Sequence, residues 1–292
     1  MLRKILAALP PHLYKTLKHS PLIVAVLSLQ KDPPHLKRDD AERKLRIFST
    51  PTRMAIPSTK ALLDAACHFG HKREKWNPRM ARYIYCIRKG IHIFDLEQTE
   101  ARLRLMCEHL KKLQKEGKTI LFVSTKQQST ALIEELGEAL GQPIVTKKWI
   151  PGLLTNWNTI KKRIKYYLDL QQSFRSGEVE KYTKKEQLDL RKELAKLDIA
   201  LSGVSSMTGM PQALFVVDAV RDHVSVLEAR KLGIAVFGIC DSNSNPDDFT
   251  IFVPANDDAV KSIGLILNTV REELGGTKKP QKAEMASAES DS

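Results

Sequence analysis

Two helices are predicted by residues 157–203, W-N-T-I-K-K-R-I-K-Y-Y-L-D-L-Q-Q-S-F-R-S-G-E-V-E-K-Y-T-K-K-E-Q-L-D-L-R-K-E-L-A-K-L-D-I-A-L-S-G. In each arm, apolar and long side chains recur at alternating steps of three and four residues, an average of about 3.5 that is typical of a coiled-coil seam. Ser176-Gly177 indicates a helix stop, and Thr183 with Glu186 fits a capping box. We expect an antiparallel coiled-coil hairpin whose seams are Ile160, Ile164, Tyr167, Gln171, Phe174 and Gln187, Leu190, Leu194, Leu197, Leu201.

Strands are predicted on both sides of this hairpin and none within it. The continuous apolar run at 119–124 is typical of a strand buried on both faces. Strands that alternate with helices indicate a parallel sheet covered by helices on both sides. We expect strands at 83–87, 91–94, 119–124, 143–145, 213–217, 234–239 and 251–253, and helices at 59–69, 97–115, 126–140, 222–232 and 257–274. The hairpin 157–203 is therefore an insertion that projects from an α/β body formed by 54–156 and 204–274.

The charge balance favours a polyanionic partner. The chain of 292 residues has 47 Lys and Arg against 34 Asp and Glu, a formal net charge of +13. Such an excess suggests nucleic acid, an anionic membrane surface or an acidic protein. The four cysteines include no C-x-x-C pair, which argues against a disulfide framework or a ribbon-type zinc site and fits a reducing compartment. The longest apolar run, 21–29, is too short for a membrane-spanning helix.

Both ends of the chain are expected to lie outside the fold. Residues 1–53 hold 11 basic and 4 acidic side chains, with several prolines and no helical period. Three explanations remain open: an organellar presequence, a disordered basic arm, or a start assigned too far upstream of Met54, which we favour. Residues 275–292, rich in Ala, Ser, Lys and Glu, are predicted to be a disordered tail.

Signals for nucleotide or catalytic chemistry are weak. Neither glycine-rich phosphate-binding fingerprint occurs. Asp218 and Asp241 end predicted strands, where α/β proteins place ligands, and with His223 they could form a metal or acid–base site. Aspartate at a strand end is also an ordinary turn residue, and this is the interpretation we favour. The alternative is a hydrolase or phosphatase-like enzyme.

A zinc site is a further hypothesis. Cys67, His68 and His71 have the residue types of metal ligands but lack a second pair nearby. We therefore expect no metal and no cofactor.

Basic residues interleaved with aromatics form a stronger signal. Seven Lys and Arg residues fall within 72–89, among Trp76, Tyr83 and Tyr85. Phosphate neutralisation combined with aromatic stacking is how proteins hold RNA, although a solvated loop would show the same composition. A second basic cluster, beginning at Lys147-Lys148-Trp149, lies where the hairpin leaves the body, so the root of the hairpin is also a candidate RNA contact.

Several stretches, in this order and spacing, resemble the small-subunit ribosomal protein two family of the bacterial and organellar type, from about residue 54 to 274. They are L-L-D-A-A-C-H-F-G-H (62–71), K-W-N-P-R-M (75–80), I-H-I-F-D-L (91–96), I-L-F-V-S-T-K (120–126), W-I-P-G-L-L-T-N-W (149–157), T-K-K-E (183–186), G-M-P-Q-A-L-F-V-V-D (209–218), E-A-R-K-L-G-I (228–234) and V-P-A-N-D-D-A (253–259). Two departures are Pro151, where the family usually has glycine, and Asn245, where it usually has aspartate.

The resemblance implies a flavodoxin-like α/β/α body, a protruding coiled-coil hairpin, and a non-enzymatic role in the small ribosomal subunit. The implied partners are small-subunit rRNA and neighbouring ribosomal proteins, with no membrane and no small-molecule substrate. The implied location is the bacterial cytoplasmic ribosome, or the mitochondrial matrix if 1–53 is a presequence. The acidic tip of the hairpin, Glu178 to Glu180, is better suited to a protein contact. We expect RNA contacts at His71, Lys72, Arg73, Lys75, Trp76, Asn77, Arg79, Arg82, Arg88, Lys89, Lys147, Lys148, Trp149, Asn156, Lys161, Lys162, Arg163, Lys165, Lys184 and Lys185.

Overall fold

The computed structural model describes residues 56–276. The expectations for 1–53 and for the tail beyond Gly276 lie outside these residues. The helices are α1 (Thr59–Asp64), α2 (Leu96–Lys115), α3 (Thr130–Leu140), α4 (Trp157–Arg175), α5 (Lys184–Leu201), α6 (His223–Lys231) and α7 (Val260–Glu273). The strands are β1 (Phe69–Lys72), β2 (Ile84–Arg88), β3 (Ile91–Phe94), β4 (Ile120–Val123), β5 (Ile144–Val145), β6 (Ala213–Val216), β7 (Ala235–Cys240) and β8 (Ile251–Pro254).

Five strands form a parallel sheet in the order β5-β4-β6-β7-β8. In its register, Phe122 lies beside Phe215, and Phe215 beside Phe237. Every residue of β4, β6 and β8 is buried. The apolar run at 119–124 is therefore a strand covered on both faces, as its sequence predicted.

Helices pack on both faces of this sheet. Along β4 and β6, Leu121 and Leu214 join an apolar cluster with α4, α5 and α6, whereas Phe122 and Phe215 join a second cluster with α2, α3 and α7. This alternation follows from the period-2 geometry of strands. The result is a mixed α/β fold consistent with three layers.

A small antiparallel sheet, in the order β1-β3-β2, lies beside this body. The prediction of a helix to residue 69 was wrong, because α1 ends at Asp64 and the chain then enters β1. Tertiary hydrogen bonds replace the helical ones: the Asn256 N–H donates to the carbonyl oxygen of Cys67 at 3.1 Å, and the Phe94 N–H donates to that of His68 at 2.8 Å.

Helix α3 begins at Thr130 and not at residue 126 as the sequence suggested. The carbonyl of Lys126 instead accepts bonds from the hydroxyls of Ser129 at 2.9 Å and Thr130 at 3.1 Å. The Lys126 side chain is buried, so this stretch is a structured turn that carries a charged group inward.

Helices α4 and α5 contact each other and are joined by a short link. The capping box at Thr183 and Glu186 is present. Tyr167 donates a hydrogen bond to Asp198 across the pair at 2.6 Å. The seam positions near the body, such as Ile160 and Leu201, are buried. The helical pair is thus confirmed, whereas supercoiling and projection from the body remain predictions.

Candidate nucleic-acid interface

The hairpin between β2 and β3 gathers four cations at one end of the small sheet. Its two-residue turn is Lys89-Gly90, with φ of 50° and 76°. Positive φ at both positions matches a type I′ turn, which disfavours a side chain such as that of lysine. Lys72 and Arg88 both pair with Ile91 of β3, and the Arg73 N–H donates to the Gly90 carbonyl at 2.9 Å.

This basic turn, defined as Lys72, Arg73, Arg88 and Lys89, is exposed to solvent. None of the four forms an ion pair with another residue in the described range 56–276. Lys72 and Arg88 flank β3 on its two sides, and neighbouring strands lie about 4.8 Å apart, so exposed positive charge is concentrated at this end of the small sheet. The patch repels itself and attracts a polyanion.

The other residues expected in this region have more varied positions. Lys75 and Arg82 are exposed. Arg79 is committed to the protein, because its guanidinium lies 2.7 Å from Asp247 and donates to Asn245 Oδ1 at 3.1 Å. Asn245 also accepts the Asp247 N–H, so asparagine serves the turn at this position.

Trp76 and Asn77 connect the basic loop to the body. The Trp76 ring is half-buried and stacks on His92 at a centroid distance of 5.1 Å. The Asn77 N–H donates to the Ser242 carbonyl at 2.7 Å, while its side chain accepts the Arg79 N–H at 3.0 Å. Asn77 therefore positions the loop, and Trp76 keeps part of its ring accessible.

At the root of the hairpin, Trp149 is buried and does not offer a stacking face. Its exposed fraction is 7%, and its indole N–H donates to Glu228 at 3.0 Å. The expectation that the Trp149 ring contacts RNA is therefore wrong. Its position within a basic cluster suggested a surface residue, but the indole is buried and donates to a buried acceptor, the Glu228 carboxylate. Glu228 also accepts the N–H groups of Gly152, Leu154 and Thr155 and the Thr155 hydroxyl.

The remaining expected residues of the root and hairpin are exposed. Lys147 lies 3.8 Å from Glu134, a weak pairing. Lys184 and Lys185 occupy the first turn of α5, where the helix dipole disfavours positive charge. Their exposure leaves them available to an external anion. The other exposed residues of this group are Lys148, Asn156, Lys161, Lys162, Arg163 and Lys165.

A second charged cluster joins the carboxyl ends of the parallel strands. The ammonium of Lys126, just after β4, lies 3.1 Å from Asp218, 2.9 Å from Asp257 and 2.7 Å from Asp258. His71 lies 3.1 Å from Asp241 and 3.5 Å from Asp258. β1 is thereby tied to the ends of four strands of the body.

The electrostatics of this cluster follow from burial. The hydrogen bond to Asp241 raises the pKa of His71 to about 8. Burial raises the pKa of Asp257 to about 7, with repulsion from Asp241 and Asp218 adding to the effect. Burial disfavours charge on Lys126, but attraction to Asp257 and hydrogen bonds to Asp257 and Asp258 outweigh it and raise its pKa. The cluster is an ion network in which two cationic groups, Lys126 and His71, face the four carboxylates of Asp218, Asp241, Asp257 and Asp258.

The ligand atoms of His71, Asp257 and Asp258 lie within 4.8 Å of one another, and the two carboxylates, unlike the imidazole nitrogen, are donors that suit a hard divalent cation. The Lys126 ammonium already neutralises part of the negative charge of Asp257 and Asp258, the charge that a divalent cation would otherwise balance. The hypothesis that grouped His71 with Cys67 and His68 has no support in this geometry, because His71 faces aspartates instead.

Asp218 and Asp241 have the turn-forming role favoured from sequence. Asp218 accepts the N–H groups of Val220 and Arg221, and Asp241 accepts those of Ser242 and Asp257. Sequence reasoning missed Lys126, Asp257 and Asp258 because it assigned 126–140 and 257–274 to helices. The strand-end rule that selected Asp218 applies equally to these residues, which follow β4 and β8.

Within residues 56–276, no helix has the length and apolar character needed to cross a bilayer. The fold and its surface together define an α/β protein with a cationic face.

The chain belongs to the ribosomal protein S2 family. The family model described as Ribosomal protein S2 matches residues 62–274. The small ribosomal subunit protein uS2 of Parabacteroides distasonis is 42% identical over 228 residues, which cover 78% of this chain and 82% of the relative. That of Rhodospirillum rubrum is 40% identical over 232 residues, covering 76% and 88%. Small ribosomal subunit protein uS2c of Rhodomonas salina is 42% identical over 221 residues, covering 76% and 91%. The protein is thus a structural ribosomal protein and not an enzyme, and the hydrolase alternative is excluded.

Proposed function

We propose that this protein is a structural constituent of the small ribosomal subunit, where it binds small-subunit rRNA and neighbouring ribosomal proteins and supports subunit assembly and translation. The observation that carries the RNA-binding proposal is the basic turn, four exposed cations without ion pairs in the described chain, mounted on a rigid sheet. Cations of this kind contact phosphates and recognise shape more than sequence.

We infer that the α/β body and the helical hairpin have different roles in the subunit. A flavodoxin-like body formed by 54–156 and 204–274 would hold the RNA-binding face, and a coiled-coil hairpin at 157–203 would reach neighbouring molecules. Lys161, Lys162, Arg163 and Lys165 lie on the exposed side of α4, near the body. Glu178 and Glu180 at the tip suit a basic protein neighbour, whereas Lys184 and Lys185 at the start of α5 remain candidate RNA contacts.

The compartment that we propose depends on whether residues 1–53 are translated and on whether they are then cleaved. We infer a bacterial cytoplasmic ribosome if translation begins near Met54, so that residues 1–53 are never made. We infer a mitochondrial ribosome if residues 1–53 are a presequence that is cleaved. Intact mass of the protein purified from native ribosomes, combined with cell fractionation, tests both alternatives.

Co-sedimentation with the small subunit tests the proposed function. We expect the native protein in the small-subunit peak, and filter binding to small-subunit rRNA should weaken steeply as salt rises, because phosphate contacts release counterions. A protein that sediments free of the subunit would overturn the proposal. Salt-independent binding would contradict phosphate contacts and favour the hairpin as a protein-binding module.

A further inference from the structure

A pocket of about 300 Å³ lies next to the basic turn and shares Arg73 with it. It is lined by Arg73, Trp76, Ala81, Ile84, Ile87 and His92. Ligand pockets in proteins range from about 300 to 1,000 Å³, so this one is matched to a single small ring system. Its lining is mostly apolar, and its one permanent charge is Arg73.

Contacts within the protein position the Trp76, His92 and Ile87 side of the pocket. Trp76 and His92 stack with an interplanar angle of 28°. His92 is 1% exposed, and its Nδ1 lies 3.3 Å from the carbonyl oxygen of His71. Ile87 pairs with His92 across the β2–β3 ladder. The sheet therefore positions Ile84, Ile87 and His92, and Trp76 is positioned by its stacking on His92.

The pocket and the basic turn share residues and backbone. Arg73 lines the pocket, and its N–H also bonds to the Gly90 carbonyl in the turn. Ile87 lines the pocket two residues before Lys89 of the turn, whereas Arg88 between them points to the opposite face of β2, because successive side chains of a strand alternate. A group that enters the pocket thus contacts Arg73, which has no ion-pair partner within the described chain, and lies near the turn that carries the other cations. A ligand that is flat and apolar at one end and anionic at the other satisfies both parts.

Building on the proposed function, we propose that this pocket receives one unpaired nucleobase of an RNA strand whose phosphates are held by the basic turn. Bases in loops and bulges are splayed out and stack on aromatic side chains, whereas paired bases are not accessible. An apolar protein side chain would fill the pocket too, but it would leave the four cations uncompensated. Charge complementarity therefore favours RNA.

Binding of two matched RNAs tests the pocket. One is a nine-nucleotide single strand with a central adenosine, and the other replaces that nucleotide by an abasic ribose phosphate. Because base–aromatic stacking strengthens binding of single strands, we expect the intact RNA to bind about 10-fold more tightly than the abasic RNA. The Ala81→Leu variant, which fills the pocket without removing a charge, should abolish this preference.

Two further variants distinguish the contribution of the base to binding from that of the phosphates. Ala101→Leu makes the same change at an exposed position of α2, outside the pocket, and should retain the preference. Lys89→Gln removes a phosphate contact and should weaken both RNAs by the same factor. A cross-link from a central 5-iodouridine should map to the wild-type peptide that contains Trp76, a readout independent of any variant's folding.

The outcomes distinguish the two proposals. Equal binding of intact and abasic RNA by the wild type, or a preference that survives in Ala81→Leu, overturns the pocket while the RNA-binding function stands. Absence of binding to either RNA and to small-subunit rRNA overturns both. An apolar peptide could also protect Trp76 from the cross-link while the RNA stays bound. That result would show that the RNA does not occupy the pocket, and it would assign the pocket to a protein partner instead.

Discussion

The carboxylate of Glu228 on α6 accepts the indole N–H of Trp149 at 3.0 Å, although the two residues lie 79 positions apart. The same carboxylate accepts three backbone N–H groups and one hydroxyl from 152–155. It therefore fixes the segment that leads from β5 into the helical hairpin. A carboxylate is required here because every partner is a donor.

Replacing Glu228 by glutamine should destabilise the fold. The amide NH₂ of the new side chain would face donors, and at least one of them would lose its acceptor inside the protein. We expect the free energy of unfolding to fall by about 2 kcal/mol, the usual cost of a buried unsatisfied polar group. Urea denaturation measures it. Glu178→Gln at the exposed hairpin tip is the control, and equal stability of the two variants would contradict the assigned role.

The contribution of Glu228 should also depend on pH. Burial opposes its ionisation, but the hydrogen bonds from Thr155, Trp149, Gly152 and Leu154 outweigh burial and lower its pKa below the ordinary 4.5. Because the folded-state pKa is depressed, the stabilisation is present above pH 4.5 and is lost as the pH falls through the folded-state value. The stability difference between wild type and Glu228→Gln should therefore narrow in acid. A stability difference between the two proteins that stays constant from pH 7 to pH 3 would contradict a lowered pKa of Glu228 in the folded state.

Removal of the Lys126 charge should lower the stability of the fold more than Glu228→Gln does. In a Lys126→Met variant, Asp218 and Asp257 would lose their shared cation inside the protein. Loss of one member of a buried ion network costs about 3–5 kcal/mol, measurable by chemical denaturation. The control is Lys192→Met, since Lys192 is exposed and lies 3.9 Å from Asp189. Little change in Lys126→Met would show that the aspartates do not depend on the ammonium.

Charge reversal in the basic turn should weaken rRNA binding without unfolding the protein. Arg88→Glu combined with Lys89→Glu removes two exposed cations, and we expect the salt slope of rRNA binding to become shallower by about 0.7–0.9 per lost phosphate contact. Filter binding measures the slope, and circular dichroism verifies the fold. Lys192→Glu with Lys196→Glu on α5 is the matched double reversal.

A ranking within the basic loop follows from the ion pairs. Arg79 is held by Asp247 at 2.7 Å, whereas Arg82 is exposed and has no ion pair in the described part of the chain. Arg82→Glu should therefore reduce co-sedimentation with the small subunit more than Arg79→Glu does. Asp218→Ala is expected to act on stability and not on binding. The reverse order would indicate that Arg79 exchanges Asp247 for phosphate.

Much of the fold could be read from the sequence because its signals are local. The apolar run in β4, the glycine after α3 and the capping box at Thr183 each act within a few residues. The early end of α1 could not be read, because the bonds to Asn256 and Phe94 that draw the chain into β1 come from distant residues. For the same reason Lys126 was assigned to a helix and its ion network was missed.

The candidate interface was predicted only in part. Composition identified the cations of the basic loop, and their exposure in the structure agrees with that expectation without testing RNA contact. Composition could not show that Arg79 has an acidic partner or that Trp149 has a buried acceptor in Glu228, since both partners lie far along the chain. The pocket beside Trp76 requires three segments to meet and has no sequence signature of its own.

The attachment of β1 to the far end of the chain has a consequence for synthesis. His71 and Asn77 are held by Asp241, Ser242 and Asp258, which are translated some 170 residues later. Long-range contacts of this kind form late in folding. A growing chain can pair β1, β2 and β3 early, but it attaches this small sheet to the body only when nearly all of the body has emerged. A chain truncated before β7 would therefore carry its basic turn on a sheet that lacks this attachment.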